Sequence, residues 1–166
     1  MIGKNSGALT VTLPSDREVT LTRVFAAPRA LVFDAHTKPE HVRRWFGPRG
    51  HTLSVCKIDL RPGGAWRYVL RDPDGGEMGM KGVYREIVPP ERLVYTEIFD
   101  AFEEMAGESV VTTIFEDIDG NTKITSTSLY RSKEIRDAVI ESGMEHGAAE
   151  TYDRLAELLE TMRTGQ

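Results

Sequence analysis

The segment that most constrains the fold is a long amphipathic stretch near the end of the chain, residues 143–162. Its apolar side chains recur at three- and four-residue intervals, the spacing of one face of an α-helix. They are Met144, Ala148, Thr151, Tyr152, Leu155, Leu159 and Met162. A helix of this length spans about 30 Å at ~1.5 Å per residue, enough to cross a small sheet. We therefore predict that the preceding chain forms a sheet, which this helix covers.

The chain before this helix has the pattern of short strands separated by tight turns. Prolines, glycines and Asp-Gly pairs separate runs of alternating or β-branched residues. The predicted strands are residues 9–13, 18–25, 52–60, 65–71, 77–88, 93–99, 108–117 and 122–130. Because short turns join most consecutive strands, we expect an antiparallel sheet, and with the helices an α+β fold.

Two short helices are predicted after the first main strand. Pro28 favours the first turn of a helix over residues 28–36. Thr37 and Glu40 have the spacing of a capping box, which would open a second helix ending at Trp45. We expect Trp45 to hold this helix pair on the sheet; the alternative is an exposed patch that binds a partner.

The end of the chain is predicted to contain two helices with a break between them. Ser132 is a candidate N-cap for a helix over residues 133–141. The apolar residues of that helix are out of phase with the later stripe, so we place the break at Gly143. Ser142 and Glu145 have the spacing of a second capping box, which would open the last helix.

Composition and charge exclude several classes of protein. The 166 residues carry a net charge of −5, which disfavours binding to the phosphate backbone of a nucleic acid. No run reaches the ~18 apolar residues of a membrane span, and the N-terminus lacks a signal-peptide pattern. A single cysteine, Cys56, is consistent with a reducing cytoplasm. We predict one cytoplasmic domain over residues 1–166, with a loose tail over residues 1–7.

Several blocks of sequence together resemble one family. The first includes Phe25-Ala26-Ala27-Pro28, Leu31-Val32-Phe33, Thr37-Lys38-Pro39-Glu40 and Trp45-Phe46-Gly47-Pro48. The others are residues 59–68, residues 82–93, and Gly143-Met144-Glu145 with Asp153-Arg154-Leu155. In this order they are similar to the START/Bet v-like superfamily, in the branch named for the activator of the heat-shock-protein-90 ATPase. The resemblance extends from about Asp16 to Met162.

The resemblance implies a helix-grip fold, in which a curved antiparallel sheet wraps around the C-terminal helix and leaves a cavity between them. It does not imply a shared catalytic set. Many relatives have a bulky aromatic residue where this chain has Ala148, a difference that would enlarge the cavity beside the helix.

Strand alternation assigns a set of side chains to the inner face of the predicted sheet, opposite one face of the last helix. The set is apolar and aromatic with a few hydroxyls and one carboxyl, which is typical of a small-molecule pocket. Periodicity alone leaves open whether it lines a cavity or fills a solid core; the resemblance favours the cavity. The predicted cavity residues are Trp66, Tyr68, Met80, Tyr84, Tyr95, Glu97, Phe99, Thr113, Phe115, Ser126, Met144, Ala148 and Tyr152.

Glu97 is the candidate catalytic residue, because an inward carboxyl would lose its hydration and gain the raised pKa of a general base. The alternatives are a bulged strand or a solvated cavity mouth, either of which would make it an ordinary surface carboxyl. Glu86 has the same ambiguity, and we expect it to pair with Arg85 or Arg92.

No metal or cofactor site is predicted. The four histidines have no His-x-His or His-Glu-x-x-His spacing, and a Cys-x-x-Cys pair is absent. Cys56 is expected to be a small buried hydrophobe and not a nucleophile. The glycine pairs Gly63-Gly64 and Gly75-Gly76 have the pattern of turns and not of phosphate loops.

The leading hypothesis is a non-enzymatic or weakly catalytic domain that binds a small hydrophobic or aromatic molecule, with the acidic loop over residues 100–107 as a mobile lid. A second is a cyclase, dehydratase or hydrolase that uses Glu97 with Tyr84 or Tyr152. A third is a chaperone partner that stimulates a heat-shock-protein ATPase. A homodimer through the edge strand over residues 9–13 is plausible, but the sequence does not require it.

Overall fold

The computed structural model describes residues 8–164; the predicted tail, residues 1–7, lies outside this range. Eight strands form one antiparallel sheet in the order β1-β2-β8-β7-β6-β5-β4-β3, so the six strands from β3 to β8 make a continuous meander. They are β1 (Thr10–Thr12), β2 (Glu18–Phe25), β3 (Thr52–Ile58), β4 (Ala65–Arg71), β5 (Glu77–Val88), β6 (Arg92–Phe99), β7 (Ser109–Ile118) and β8 (Asn121–Leu129).

The helices lie between and after these strands. They are α1 (Arg29–Thr37), α2 (Pro39–Trp45), α3 (Glu103–Ala106), α4 (Lys133–Glu141) and α5 (Met144–Thr164), with a 3-10 turn at Asp100–Phe102. Gly143 separates α4 from α5 with φ 86°, a left-handed conformation that favours glycine. The curved sheet and the long α5 make a helix-grip α+β fold, which confirms the predicted fold class and the predicted break.

The hairpin between β7 and β8 illustrates how local sequence sets the topology. Asp119 and Gly120 have φ of 53° and 88°, the left-handed pair that a two-residue hairpin turn requires. The Gly120 amide also donates to the Asp117 carboxylate at 2.9 Å. This turn fixes the register in which Thr113 of β7 faces Ser126 of β8.

The main core lies where the second half of α5 meets the inner face of the sheet. Leu155, Leu158 and Leu159 are almost fully buried there, close to Phe25 and Ile124. Leu158 extends the apolar stripe that the sequence predicted for this helix. The leucines fill the space against the sheet at this end of the helix, because their branched side chains pack closely.

Trp45 holds the α1–α2 pair in place. Its side chain is 4% exposed, and its indole N–H donates to the Ala35 carbonyl at 2.8 Å. Its ring also contacts the rings of His36 and Phe46, with centroids 5.0 and 5.9 Å away. These contacts confirm the structural role predicted for Trp45 and exclude the alternative of an exposed patch.

Both predicted capping boxes are wrong. The Thr37 hydroxyl donates to the Phe33 carbonyl at 2.9 Å, and the Ser142 hydroxyl donates to the Val139 carbonyl at 2.6 Å. Thr37 is the last residue of α1 and Ser142 directly follows α4, so each hydroxyl bonds back to a carbonyl of the helix before it and does not cap the helix after it. The cap predicted at Ser132 is confirmed, since its hydroxyl accepts from the Ile135 amide at 3.1 Å.

The segment predicted to be a mobile lid, residues 100–107, is largely helical and packs elsewhere. Asp100 forms a bidentate ion pair with Arg67 at 2.7 and 2.8 Å, and Lys81 pairs with Glu103 at 3.3 Å. Arg67 and Lys81 point outward from the sheet, in alternation with the inward Trp66 and Met80. The segment therefore lies against the outer side of the sheet, and the lid assignment is wrong.

Candidate functional site

A cavity of about 370 Å³ lies between the inner face of the sheet and the first half of α5. This half of the helix presents Gly147, which has no side chain, and Ala148, which has only a methyl group, whereas the second half presents leucines. The change in side-chain volume along one helix therefore leaves space at one end and a solid core at the other.

The lining contains every predicted cavity residue except one. Those present are Trp66, Tyr68, Met80, Tyr84, Tyr95, Glu97, Phe99, Thr113, Ser126, Met144, Ala148 and Tyr152. The exception is Phe115, which is 1% exposed and packs edge-on against the rings of Phe33 and His36. Phe115 has the inward parity that the sequence indicated, but α1 covers it, so it belongs to the core.

Sequence reasoning missed several lining residues. Strand parity places Ser126 and Ser128 on the inner face, and one further step of the same alternation would have found Tyr130. His36 comes from α1, and the loop residues Phe46 and Pro48 have no periodicity that could reveal them.

Aromatic rings form one wall of the cavity. Trp66 contacts Tyr68 and Tyr95, with ring centroids 4.8 and 5.8 Å away, and Tyr95 contacts Tyr84 at 6.1 Å. The Trp66 indole N–H crosses over Gly82 and donates to the Thr96 carbonyl at 3.1 Å. This bond satisfies the polar atom of the largest ring, so the face it turns to the cavity is apolar.

A row of hydroxyls crosses the cavity wall from β6 to α5. The Thr113 and Ser126 hydroxyls lie 3.2 Å apart. The phenol of Tyr95 lies beside Thr113, and that of Tyr152 lies beside Ser126. Burial raises the pKa of Tyr152 to about 12 and that of Tyr95 well above its ordinary value. These phenols therefore remain protonated and can donate hydrogen bonds at neutral pH.

Glu97 lies on the inner face of β6 and lines the cavity. Its backbone pairs regularly with Ser109 of β7, and the pairing of β6 with β7 shows no register shift, so the bulge alternative is wrong. Burial raises the pKa of the Glu97 carboxyl to about 7, because the surrounding walls take away part of its hydration. The irregularity in this region lies instead on β5, between Tyr84 and Glu86.

Glu86 points away from the cavity. Its carboxylate pairs with the Arg92 guanidinium at 2.7 Å, and both side chains are largely exposed. The expectation that Glu86 forms an ion pair is confirmed.

His36 adds an uncharged imidazole to the lining. Its Nδ1 lies 2.9 Å from the Val32 carbonyl, which can only accept, so Nδ1 carries the proton and Nε2 holds a lone pair. Burial lowers the pKa of His36 to about 4. The imidazole is therefore neutral at physiological pH.

The loop between α2 and β3 borders the cavity and is fastened to α5. Nη1 of Arg154 lies 2.9 to 3.2 Å from the carbonyl oxygens of Gly47, Pro48 and His51. The neighbouring Arg49 forms a bidentate ion pair with Glu157, one turn further along the helix. We call residues 46–51 the mouth loop, since Phe46, Gly47 and Pro48 line the cavity.

Residues 8–164 contain no group of three His, Cys, Asp or Glu side chains placed to bind a metal ion. None of the helices in the same range combines the length and the apolar character needed to cross a bilayer.

Comparison with known proteins gives a family and a set of similar structures. A protein from Rhodobacter sphaeroides superposes with a TM-score of 0.85 at 28% identity, over 93% of this chain and 99% of its own. A protein from Mycobacterium smegmatis gives a TM-score of 0.82 at 26% identity, over 92% and 97%. A protein from Nitrosomonas europaea gives a TM-score of 0.81 at 26% identity, over 91% of this chain and 99% of its own.

No curated protein matches the sequence. The family model described as "Activator of Hsp90 ATPase homolog 1-like protein" matches residues 26–160, which include both short helices, the meander and most of α5. The chain belongs to the Activator of Hsp90 ATPase homolog 1-like protein family.

Proposed function

We propose that this protein binds a small hydrophobic or aromatic molecule in the cavity between the sheet and α5. The observation that carries the proposal is the cavity itself, about 370 Å³ in volume and lined by aromatic and aliphatic side chains with a few hydroxyls. This volume and this composition are typical of small-molecule sites in proteins.

Burial of apolar surface supplies the affinity in this proposal. A ligand that buries about 200 Å² of apolar surface gains on the order of 5 kcal/mol, from which the cost of ordering the ligand is subtracted. The hydroxyls of Tyr95, Thr113, Ser126 and Tyr152 lie on one side of the cavity, so they orient a ligand that carries a polar group.

Native mass spectrometry of the freshly purified protein tests this function directly. We expect a stoichiometric small molecule, which denaturation would release for analysis. In parallel, the neutral dye N-phenyl-1-naphthylamine should bind the wild type and increase in fluorescence, and Ala148→Trp should prevent this by filling the cavity. Glu145→Trp, on an exposed position of the same helix, is the matched control.

An apo mass together with no dye binding would contradict the proposal. The role named in the family description would then be tested, by measuring whether the protein raises the ATPase rate of the host's Hsp90.

A second candidate function is acid–base catalysis within the same cavity. It is favoured by the pKa of about 7 at Glu97, which allows the carboxyl both to accept and to donate a proton near neutral pH. With any substrate that is turned over, Glu97→Gln should abolish turnover while leaving dye binding intact. Unchanged turnover in this variant would exclude Glu97 as the catalytic group.

A further inference from the structure

Among the described residues, the cavity lining carries one charged side chain, and it is acidic. Among residues 8–164, the lining contains one carboxyl, that of Glu97, and no lysine or arginine. The imidazole of His36 is held neutral and turns a lone pair, not a proton, away from its backbone bond. The buried cation on the same face of the sheet, Arg23, does not line the cavity and pairs with Asp153 at 2.8 Å.

Glu97 also lacks a partner within the described part of the chain. Other carboxylates are paired with arginine, as in Glu86 with Arg92 and Asp100 with Arg67. No such ion pair or side-chain hydrogen bond is formed by the Glu97 carboxyl among residues 8–164. The Glu97 side chain is partly buried and faces the cavity. A carboxyl that has lost part of its hydration and lacks a protein partner costs free energy, which a ligand can recover by supplying a donor.

Aromatic rings surround this carboxyl. Tyr68, Tyr95 and Tyr130 line the same cavity as Glu97. Burial raises the pKa of all three phenols, and the charge of Glu97 adds to this rise. Trp66 packs against Tyr95 on the cavity wall. Aromatic faces attract cations through their quadrupole, and this attraction adds to that of a carboxylate.

We propose that the ligand is a small amine, with an aromatic or alicyclic body in the apolar part of the cavity and its protonated nitrogen bound to Glu97. The proposal rests on the function proposed above and adds the chemical class of the ligand. The ammonium group would donate to the carboxylate in a charge-assisted hydrogen bond, shielded from water by the tyrosine rings.

The same arrangement selects against anions. A carboxylate ligand of similar shape would bring a second negative charge beside Glu97, and the lining offers no cation to balance it. A neutral alcohol would fit without repulsion, but its hydrogen bond to Glu97 would be weaker than that of an ammonium group. The cavity should therefore rank ligands by charge when their apolar parts are alike.

Three probes that share a phenyl ring and a two-carbon chain test this ranking. They are 2-phenylethylamine, 2-phenylethanol and 3-phenylpropionate, which differ in the charge of the end group. Displacement of N-phenyl-1-naphthylamine, followed at neutral pH, gives their relative affinities. For the wild type we expect the amine to bind about tenfold tighter than the alcohol, and the carboxylate to bind most weakly.

Variants of the two glutamates separate the role of Glu97 from a general charge effect. Glu97→Gln should bring the amine within about threefold of the alcohol, because the amide keeps a hydrogen-bond acceptor and loses the charge. Glu86→Gln changes the net charge equally on the outside of the sheet and should keep the wild-type ranking.

Each other outcome overturns a distinct claim. If the dye binds and Ala148→Trp blocks it, but the amine competes no better than the alcohol, the amine proposal is wrong and the cavity function stands. If Glu97→Gln keeps the preference for the amine, Glu97 is not the group that recognises it. If neither the dye nor any probe binds, both the amine proposal and the proposed function fail.

Discussion

At the scale of single residues, Glu97 carries a free-energy cost that depends on pH. Its pKa is about 7 in the folded protein and 4.5 when unperturbed, so the folded state takes up the proton at a higher pH. Above pH 7 both states are ionised, and the folded state carries the full cost of the buried charge, about 3 kcal/mol. As the pH falls from about 7 to 4.5, protonation relieves this cost and the free energy of unfolding rises.

We therefore expect Glu97→Gln to raise the free energy of unfolding of the ligand-free protein by up to about 3 kcal/mol near pH 8, and by almost nothing near pH 4.5. Urea unfolding of both proteins across this range measures the difference. The tyrosines facing Glu97 stay protonated throughout and cancel from the comparison. A difference that did not change with pH would show that no charge is buried at this position.

Two glycines illustrate opposite requirements for space. A Cβ on Gly82 would overlap the Thr96 carbonyl oxygen and lie 2.5 Å from Nε1 of Trp66, whereas a Cβ on Gly147 would meet only Pro48 at 3.6 Å. Gly82 is required because Trp66 crosses directly over it. Gly147 lies in α5, where glycine is the less favourable residue.

The alanine variants of these glycines should differ in sign. Gly82→Ala should lower the free energy of unfolding by about 2 kcal/mol or more through overpacking and loss of the Trp66 hydrogen bond. Gly147→Ala should raise it by about 0.5–1 kcal/mol through helix propensity. Equilibrium urea unfolding measures both. Equal effects of the two variants would be inconsistent with the close approach of Trp66 to β5.

At the scale of elements, α5 both covers the sheet and positions the mouth loop. Arg154 reaches from the helix to the carbonyls of Gly47, Pro48 and His51, none of which belongs to a strand or helix. These carbonyls face a single guanidinium group, which is suited to this task by its several fixed donors. Arg154 therefore holds the mouth loop through its carbonyls, and Arg49 fastens the same loop to Glu150 and Glu157 of the helix.

Replacement of Arg154 should loosen the mouth loop. Arg154→Met keeps much of the side-chain length but removes the guanidinium donors from these carbonyls, of which that of Pro48 keeps the His51 amide. We expect it to cost about 2–4 kcal/mol in unfolding free energy. It should also speed dissociation of N-phenyl-1-naphthylamine, measured by stopped-flow fluorescence. Arg49→Met removes only an exposed ion pair, so it should cost less than about 1 kcal/mol. Equal costs for both variants would argue against the carbonyl contacts.

At the scale of the whole molecule, the cavity is empty volume that a solid core would not contain. Empty volume lowers stability because the side chains around it lose van der Waals contacts. A binding protein bears this cost in its free state and recovers it when the ligand occupies the space. Stability and binding should therefore change in opposite directions when the cavity is filled by mutation.

Ala148→Trp tests this relation. We expect a higher melting temperature, by about 2–4 °C for each kcal/mol of contact regained, together with loss of dye binding. Differential scanning calorimetry gives the first quantity and fluorescence titration the second. A lower melting temperature, as overpacking by ~1–3 kcal/mol would produce, would mean that the space beside Ala148 is already full.

The sequence by itself determined the elements and the faces of the strands. The bounds predicted for residues 18–25, 65–71, 77–88 and 133–141 agree with the structure to the residue, and twelve of the thirteen predicted cavity residues do line the cavity. These features depend on local patterns, such as the two-residue period of strands and the turn residues between them. Glu97 could be placed inward for the same reason, because β6 keeps a regular register with β7 at this position.

Only the tertiary structure decided what those faces enclose. Whether the inner side chains leave a cavity depends on the sum of volumes from strands and helices distant in sequence, which no local pattern contains. The covering of Phe115 by α1, the packing of residues 100–107 on the outer side of the sheet, and the contact of Arg154 with Gly47 across 107 residues have the same origin. All three features are contacts between residues that are far apart in the sequence. Such contacts form only when the chain folds, so local sequence patterns do not predict them.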